Sequence, residues 1–122
     1  MRYSKDIETA LYERLNATGH SASAHAIPPD LGATLPHVHV VRTGGYEKEL
    51  VIEINRVDFD IYAEDAADAM ETACALCGWI RDLAGDFCYE SEINTLPYNN
   101  PDPRHPNIAR ATVKAQILTR TV

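Results

Sequence analysis

No apolar run in the sequence approaches the ~18 residues that a membrane-spanning helix needs. The opening residues, Met1-Arg2-Tyr3-Ser4-Lys5-Asp6, lead into a charged segment rather than the apolar core of a signal peptide. Together these absences create the expectation of a soluble protein made inside the cell. Cysteine is sparse and odd in number, three in all, which argues against a disulfide framework where no export signal is visible. Basic side chains are outnumbered, 11 Lys and Arg against 18 Asp and Glu, for a net charge of −7. That balance speaks against specific nucleic-acid binding, because phosphates are gripped mainly by Lys and Arg. A phosphate-cradling glycine loop, a nucleophile elbow, a zincin helix and an EF-hand are all missing from the sequence.

What is present is a chain of 122 residues, 45% of them hydrophobic, enough for one packed domain spanning 1–122 and too much for a disordered chain. Its charge is segregated. Residues 1–46 are balanced; residues 47–92 carry thirteen acids against Lys48, Arg56 and Arg81, a balance of −10; residues 93–122 carry Asp102 against Arg104, Arg110, Lys114 and Arg120, a balance of +3. Two origins suit this pattern: opposite charges facing each other across neighbouring strands, or complementary surfaces on separate copies.

Hydrophobic spacing predicts a first helix from about Ser4 to Ala17, with Ser4 as N-cap and Ile7, Ala10, Leu11 and Leu15 on its apolar face. Residues 20–36 read as a loop. His37–Thr43 reads as a strand closed by a turn at Gly44-Gly45. Leu50–Ile54 and Val57–Ile61 place their apolar residues on opposite parities, which predicts a turn, kink or bulge at Asn55-Arg56. A long helix over 64–84 carries Ala66, Ala69, Met70, Ala73, Leu76, Cys77, Ile80 and Leu83 as its stripe. Phe87–Ile93 then reads as a strand, Leu96–Pro106, with four prolines, as an extended loop, and Ala109–Ile117 as a last strand. The expected fold is α+β: a mainly antiparallel sheet with two helices packed on one face, in the order α-β-β-β-α-β-β.

Candidate chemistry is thin. Cys74 and Cys77 form a C-x-x-C, but mid-helix, away from the helix start where a thiol is acidified. Cys88 with a histidine would have to complete a zinc site. His37 and His39 share one side of a strand, as metal ligands would, and Asp58 and Asp60 share another, as an acid/base or Mg²⁺ pair would; surface solvation is the competing role for all four. Trp79 lies at the margin of the helical stripe, as a core edge or a contact anchor. So little equipment favours a non-enzymatic protein that works by surface contact and needs no cofactor.

The assembly of an N-terminal helix, Leu35-Pro36-His37-Val38-His39-Val40-Val41-Arg42-Thr43-Gly44-Gly45, then Arg56-Val57-Asp58-Phe59-Asp60-Ile61-Tyr62-Ala63, a helix opening Glu64-Asp65-Ala66-Ala67, and a tail with Leu96-Pro97, Asp102-Pro103-Arg104 and Ala111-Thr112-Val113-Lys114-Ala115 resembles the tail-terminator proteins of long-tailed bacteriophages. The resemblance covers nearly the whole chain. The Leu50–Ile54 run and Asn99-Asn100 depart from the family pattern. The resemblance implies a structural protein of the virion, made in the host cytoplasm and located at the head-proximal end of the tail. There it would form a homo-oligomeric, hexameric ring, cap the tail tube, end its polymerisation and join the head's connector or neck. Its partners would be itself, the tail tube protein and the connector or neck protein. Gly44, Gly45, Tyr46, Trp79, Pro101, Asp102, Pro103, Arg104, Arg110, Lys114 and Arg120 are the candidate interface residues. A neck or head-completion protein is the alternative, and a small metal-dependent or redox enzyme the second.

Overall fold

Cap chemistry sets where the helices begin. In the computed structural model, which describes residues 4–49 and 51–120, the first helix, α1, spans Ile7–Ala17, and Asp6 caps it by accepting from the Thr9 N–H. Ser4, the expected cap, instead donates its hydroxyl to Glu53. A short strand, β1 (Ser21–Ala24), emerges from the segment read as loop. It is followed by β2 (His37–Glu49), β3 (Ile52–Ala63), the second helix α2 (Ala66–Arg81), β4 (Glu90–Asn99) and β5 (Ala109–Arg120). Asp65 caps α2 by accepting from the Asp68 N–H, and Gly85 takes a positive φ just beyond it.

The architecture is α+β. Five strands in the order β1-β2-β3-β5-β4 form one sheet, antiparallel except for the parallel β1–β2 pair. Pairing places Val40 beside Phe59 and Phe59 beside Val113, so the buried Val38, Val40, Val57, Phe59, Ile61, Ala111, Val113, Ala115 and Ile117 all line one face. Ile7, Leu11 and Leu15 of α1 and Ala69, Ala73, Leu76, Cys77 and Ile80 of α2 pack on that face and close the core. The alanines of α2 keep its backbone close to the sheet.

Three expectations are corrected in the middle of the chain. β3 is unbroken: it pairs with β5 from Ile52 to Ala63 without a register shift. The parity changes because Asn55 and Glu53 occupy core-side positions, where polar partners meet the Asn55 amide nitrogen and the Glu53 carboxylate while the Asn55 Oδ1 is buried without a partner among the described residues. Asn55 donates to the Ile117 carbonyl and the Thr119 hydroxyl, and Glu53 accepts from the Ser4 hydroxyl and the Lys5 N–H. The irregularities sit in β2 instead, as register shifts between Arg42 and Gly44 and between Glu47 and Glu49.

Gly44-Gly45 is therefore no turn. Both glycines continue β2 with φ of 142° and 141°, and the chain reverses near Val51; Leu50, part of the run read as a strand, lies outside the described residues. Beyond α2 the chain also differs from expectation. Phe87 and Tyr89 precede β4, which runs through Pro97 to Asn99, so the proline-rich loop is confined to 100–108. Pro97 is tolerated because β4 is an edge strand whose register shifts between Thr95 and Tyr98.

At Gly45 a Cβ would lie 2.0 Å from the Ile54 carbonyl oxygen, in a backbone conformation that L side chains rarely adopt. Gly45→Ala is expected to lower stability by about 2 kcal/mol or more, the cost of strain in a paired strand, and urea unfolding measures it.

Candidate functional site

On the face of the sheet away from α1 and α2, polar side chains that would ordinarily be solvated are buried instead. His37, Tyr62, Asp102 and Thr112 are almost wholly covered, and His39 nearly so. The cover comes from the segment after β1 and from the 100–108 loop, and between them lies a cavity of about 440 Å³. Its polar lining is His25, His39, Asp60, Tyr62, Arg104, His105 and Arg110, and its apolar wall is Ile27, Pro28, Pro29 and Val41.

One side of the cavity is built by a hydrogen-bonded array across the parallel β1–β2 pair. Register aligns Ser21 with His37 and Ser23 with His39. Ser21 Oγ lies 2.8 Å from His37 Nδ1, His37 Nε2 lies 2.8 Å from Ser23 Oγ, and Ser23 Oγ lies 2.9 Å from His39 Nδ1. Both ring nitrogens of His37 are thus occupied by serine hydroxyls. His39 uses one nitrogen this way and lines the cavity. Burial holds both imidazoles below the ordinary histidine range; Asp60 and Glu8 oppose that fall at His39.

The other side is organised by Asp102. It is 3% exposed, and its carboxylate accepts from the Tyr62 hydroxyl at 2.9 Å, the Arg104 backbone N–H at 3.0 Å and His105 Nδ1 at 3.1 Å. Arg110 adds its charge at 3.6 Å and donates through Nε to the Asn100 carbonyl. Burial alone would raise the Asp102 carboxyl, but these hydrogen bonds and Arg110 outweigh it and hold the group well below the usual carboxylate range.

The structure separates the sequence candidates. Asp102 is an internal hub rather than a surface contact, and Arg110 is bound up with it. Lys114 pairs with Asp58 at 2.9 Å, and Asp60 accepts from Thr112, so part of the charge segregation is cancelled between adjacent strands. Trp79 is a core edge: it packs edge-on to Phe59 and His20, and its Nε1 donates to the Thr18 hydroxyl. Gly44, Gly45 and Tyr46 lie on the outer half of β2, where the Arg56 guanidinium stacks near the Tyr46 ring. Pro101, Pro103, Arg104 and Arg120 are exposed.

Cys77 and Cys88 are buried in the core, which pushes their thiols up and away from the reactive thiolate; Cys74 is exposed on α2. Among the described residues, no group of three or more His, Cys, Asp or Glu side chains is placed to hold a metal ion. His25, His105, Ser21 and Ser23 were not singled out from the sequence. The matching period-2 patterns Ser21-Ala22-Ser23 and His37-Val38-His39 carry the only signal of their pairing.

Two measurements probe this site. Asp102→Asn leaves Arg110 and His105 facing a neutral amide, and is expected to cost roughly 3 kcal/mol in chemical denaturation. Because the folded Asp102 carboxyl is depressed, its contribution is present above the ordinary carboxylate pKa and is lost as pH falls through the folded value; the variant should therefore lose acid sensitivity below about pH 4. Histidines 37 and 39 act in the same direction at higher pH. Their imidazoles favour the neutral form when folded, so the unfolded chain binds more protons, and stability should fall from about pH 7 to about pH 5. His37→Gln should flatten that slope in pH-dependent thermal melts. No known protein family matches the chain, and no curated protein matches it in sequence.

Proposed function

We propose that the protein is an assembly subunit of a long-tailed bacteriophage: a tail terminator whose copies form a ring, expected to be hexameric, on the head-proximal end of the tail tube. The ring ends tube polymerisation and offers the surface to which the connector or neck of the head attaches. The observation that carries this reading is a pair of open and unlike sheet edges on one chain. β1 pairs with β2 only as far as Val40; among the described residues Val41–Glu49 pairs with β3 alone, and on its outer edge only the Arg42 N–H is taken up, by the Glu8 carboxylate. At the far end of the sheet β4 pairs only with β5.

Unpaired strand edges invite another strand, and two different edges on one chain favour head-to-tail contacts, the kind that close into rings. Large apolar side chains stand exposed near both: Tyr46 on β2 at 54% and Leu96 on β4 at 66%. The acids Glu64, Asp65, Asp68 and Glu71 at the start of α2 and the bases Arg104 and Arg120 also remain exposed after the internal pairs are formed. They supply complementary surfaces between copies. Such a role calls for no cofactor and no catalytic group.

Blocking the gene in an infected host is expected to give overlong tails; normal tails beside unjoined heads would assign the protein to the neck instead. In solution or on isolated tubes, Leu96→Lys should weaken ring formation at least about tenfold while leaving the thermal midpoint nearly unchanged, because the residue is exposed in the single chain. Light scattering and electron microscopy read the first effect and calorimetry the second.

A further inference from the structure

The cavity on the face away from α1 and α2 is left unexplained by ring formation through strand edges, and its lining is rich in hydrogen-bond donors. The geometry points to a binding site for a carboxylate carried on an aliphatic or peptide stem, whose capture is coupled to uptake of a proton by the imidazole edge of the cavity. This inference does not rest on the ring reading.

Donors outnumber acceptors in the cavity. The acids nearby are already served: Asp60 accepts from the Thr112 hydroxyl at 2.7 Å, Asp102 from Tyr62, Arg104 and His105, and Glu8 from the Arg42 N–H with His25 beside it. The Arg104 guanidinium, by contrast, is 76% exposed and makes a single long contact of 3.4 Å with Asp102. Most of its planar fork is available for a two-pronged grip on a carboxylate. Arg110 lies behind it, anchored by Asn100 and Tyr62, and adds fixed positive charge.

His39 faces this space from the opposite wall. It is 9% exposed, and its Nδ1 is bound to Ser23; the array through Ser23, His37 and Ser21 can run in either direction. With one direction His39 Nε2 presents a lone pair, with the other an N–H, and protonation makes both nitrogens donors. The charged and titratable groups facing His39 are Asp60 from β3, Glu8 from α1, His25 after β1 and Arg104 from the 100–108 loop. The acids among them favour a proton on the ring, and Arg104 and His25 oppose it; an incoming carboxylate offsets that positive charge and so tips the balance toward the imidazolium. The remaining wall of Ile27, Pro28, Pro29 and Val41 is apolar and suits the carbon stem of a carboxylate better than a fully hydrated phosphate.

Acetate titrated into the full chain, followed by NMR of the histidine rings with chloride as the ionic-strength control, tests the site. The expected result is a saturable shift at His39, with millimolar affinity that tightens by about threefold or more between about pH 7.5 and about pH 6, and that falls about tenfold in Arg104→Ala. Arg104→Ala should leave the melting temperature nearly unchanged, because the side chain is exposed. Sedimentation with and without acetate separates two sources of the carboxylate. Acetate that dissociates copies identifies the natural occupant as an acidic side chain of a second copy, and acetate that binds without changing association identifies a free small carboxylate. Absence of a shift at about 100 mM acetate, an affinity independent of pH, an unchanged affinity in Arg104→Ala, or tighter binding of inorganic phosphate would each overturn the inference.

Discussion

The unbroken ladder between β3 and β5 is the constraint on which the rest of the fold depends. Twelve residue pairs run from Ile52–Arg120 to Ala63–Ala109 without a shift, and β3 carries β2 on its other side. Because side chains alternate strictly across a sheet, this one register assigns Phe59, Ile61 and Val113 to the helices and Asp58, Asp60, Tyr62, Thr112 and Lys114 to the opposite face. Each cross-strand partnership on that face follows from it: Lys114 with Asp58, Thr112 with Asp60, and Arg110 beside Tyr62. A slip of one residue would bury the charges under the helices and expose the core.

The elements read most readily from the sequence were those whose burial is one-sided and periodic. The alternation of β5 and the stripe of α2 from Ala69 to Ile80 survive because their core positions are filled by apolar residues almost without exception; Ala66 is exposed, Met70 half-buried, and Leu83 is buried just beyond the end of the helix at Arg81. β3 was misread at Asn55 for a physical reason: a core position can be filled by an amide when the Ile117 carbonyl and the Thr119 hydroxyl stand ready to accept from it, and no local pattern announces partners more than sixty residues away. The glycine pair misled in a related way. Positive φ is required at both positions, as a turn would need, but it serves a bulge and the close approach of Gly45 to Ile54.

The cavity was scarcely legible for a similar reason. His37 and His39 could be placed on one side of a strand from their spacing, yet their partners come from Ser21 and Ser23 in a stretch of weak strand propensity that pairs in parallel, over a distance in sequence that hides the match. Asp102 looked like a surface acid in a proline-rich loop. Only the fold brings Tyr62, His105 and Arg110 around it. The segregation of charge, in contrast, was visible in the sequence, and the fold divides it: the acids of β3 find neighbours on β5, whereas those that open α2 remain turned to solvent.

Asp102 also sets how the 100–108 loop responds to temperature. That loop is held by charged and neutral hydrogen bonds and by the edge-on contact of His105 with Tyr62. Local opening would uncover mostly polar groups, so its heat-capacity change is small, unlike that of the whole chain, which uncovers an aliphatic core. The loop and the domain therefore follow stability curves of different shape. Cooling, which weakens the packing of helices on the sheet, weakens closure of the loop far less, so the loop can open on its own when warmed but is lost with the sheet that carries Tyr62 and Arg110.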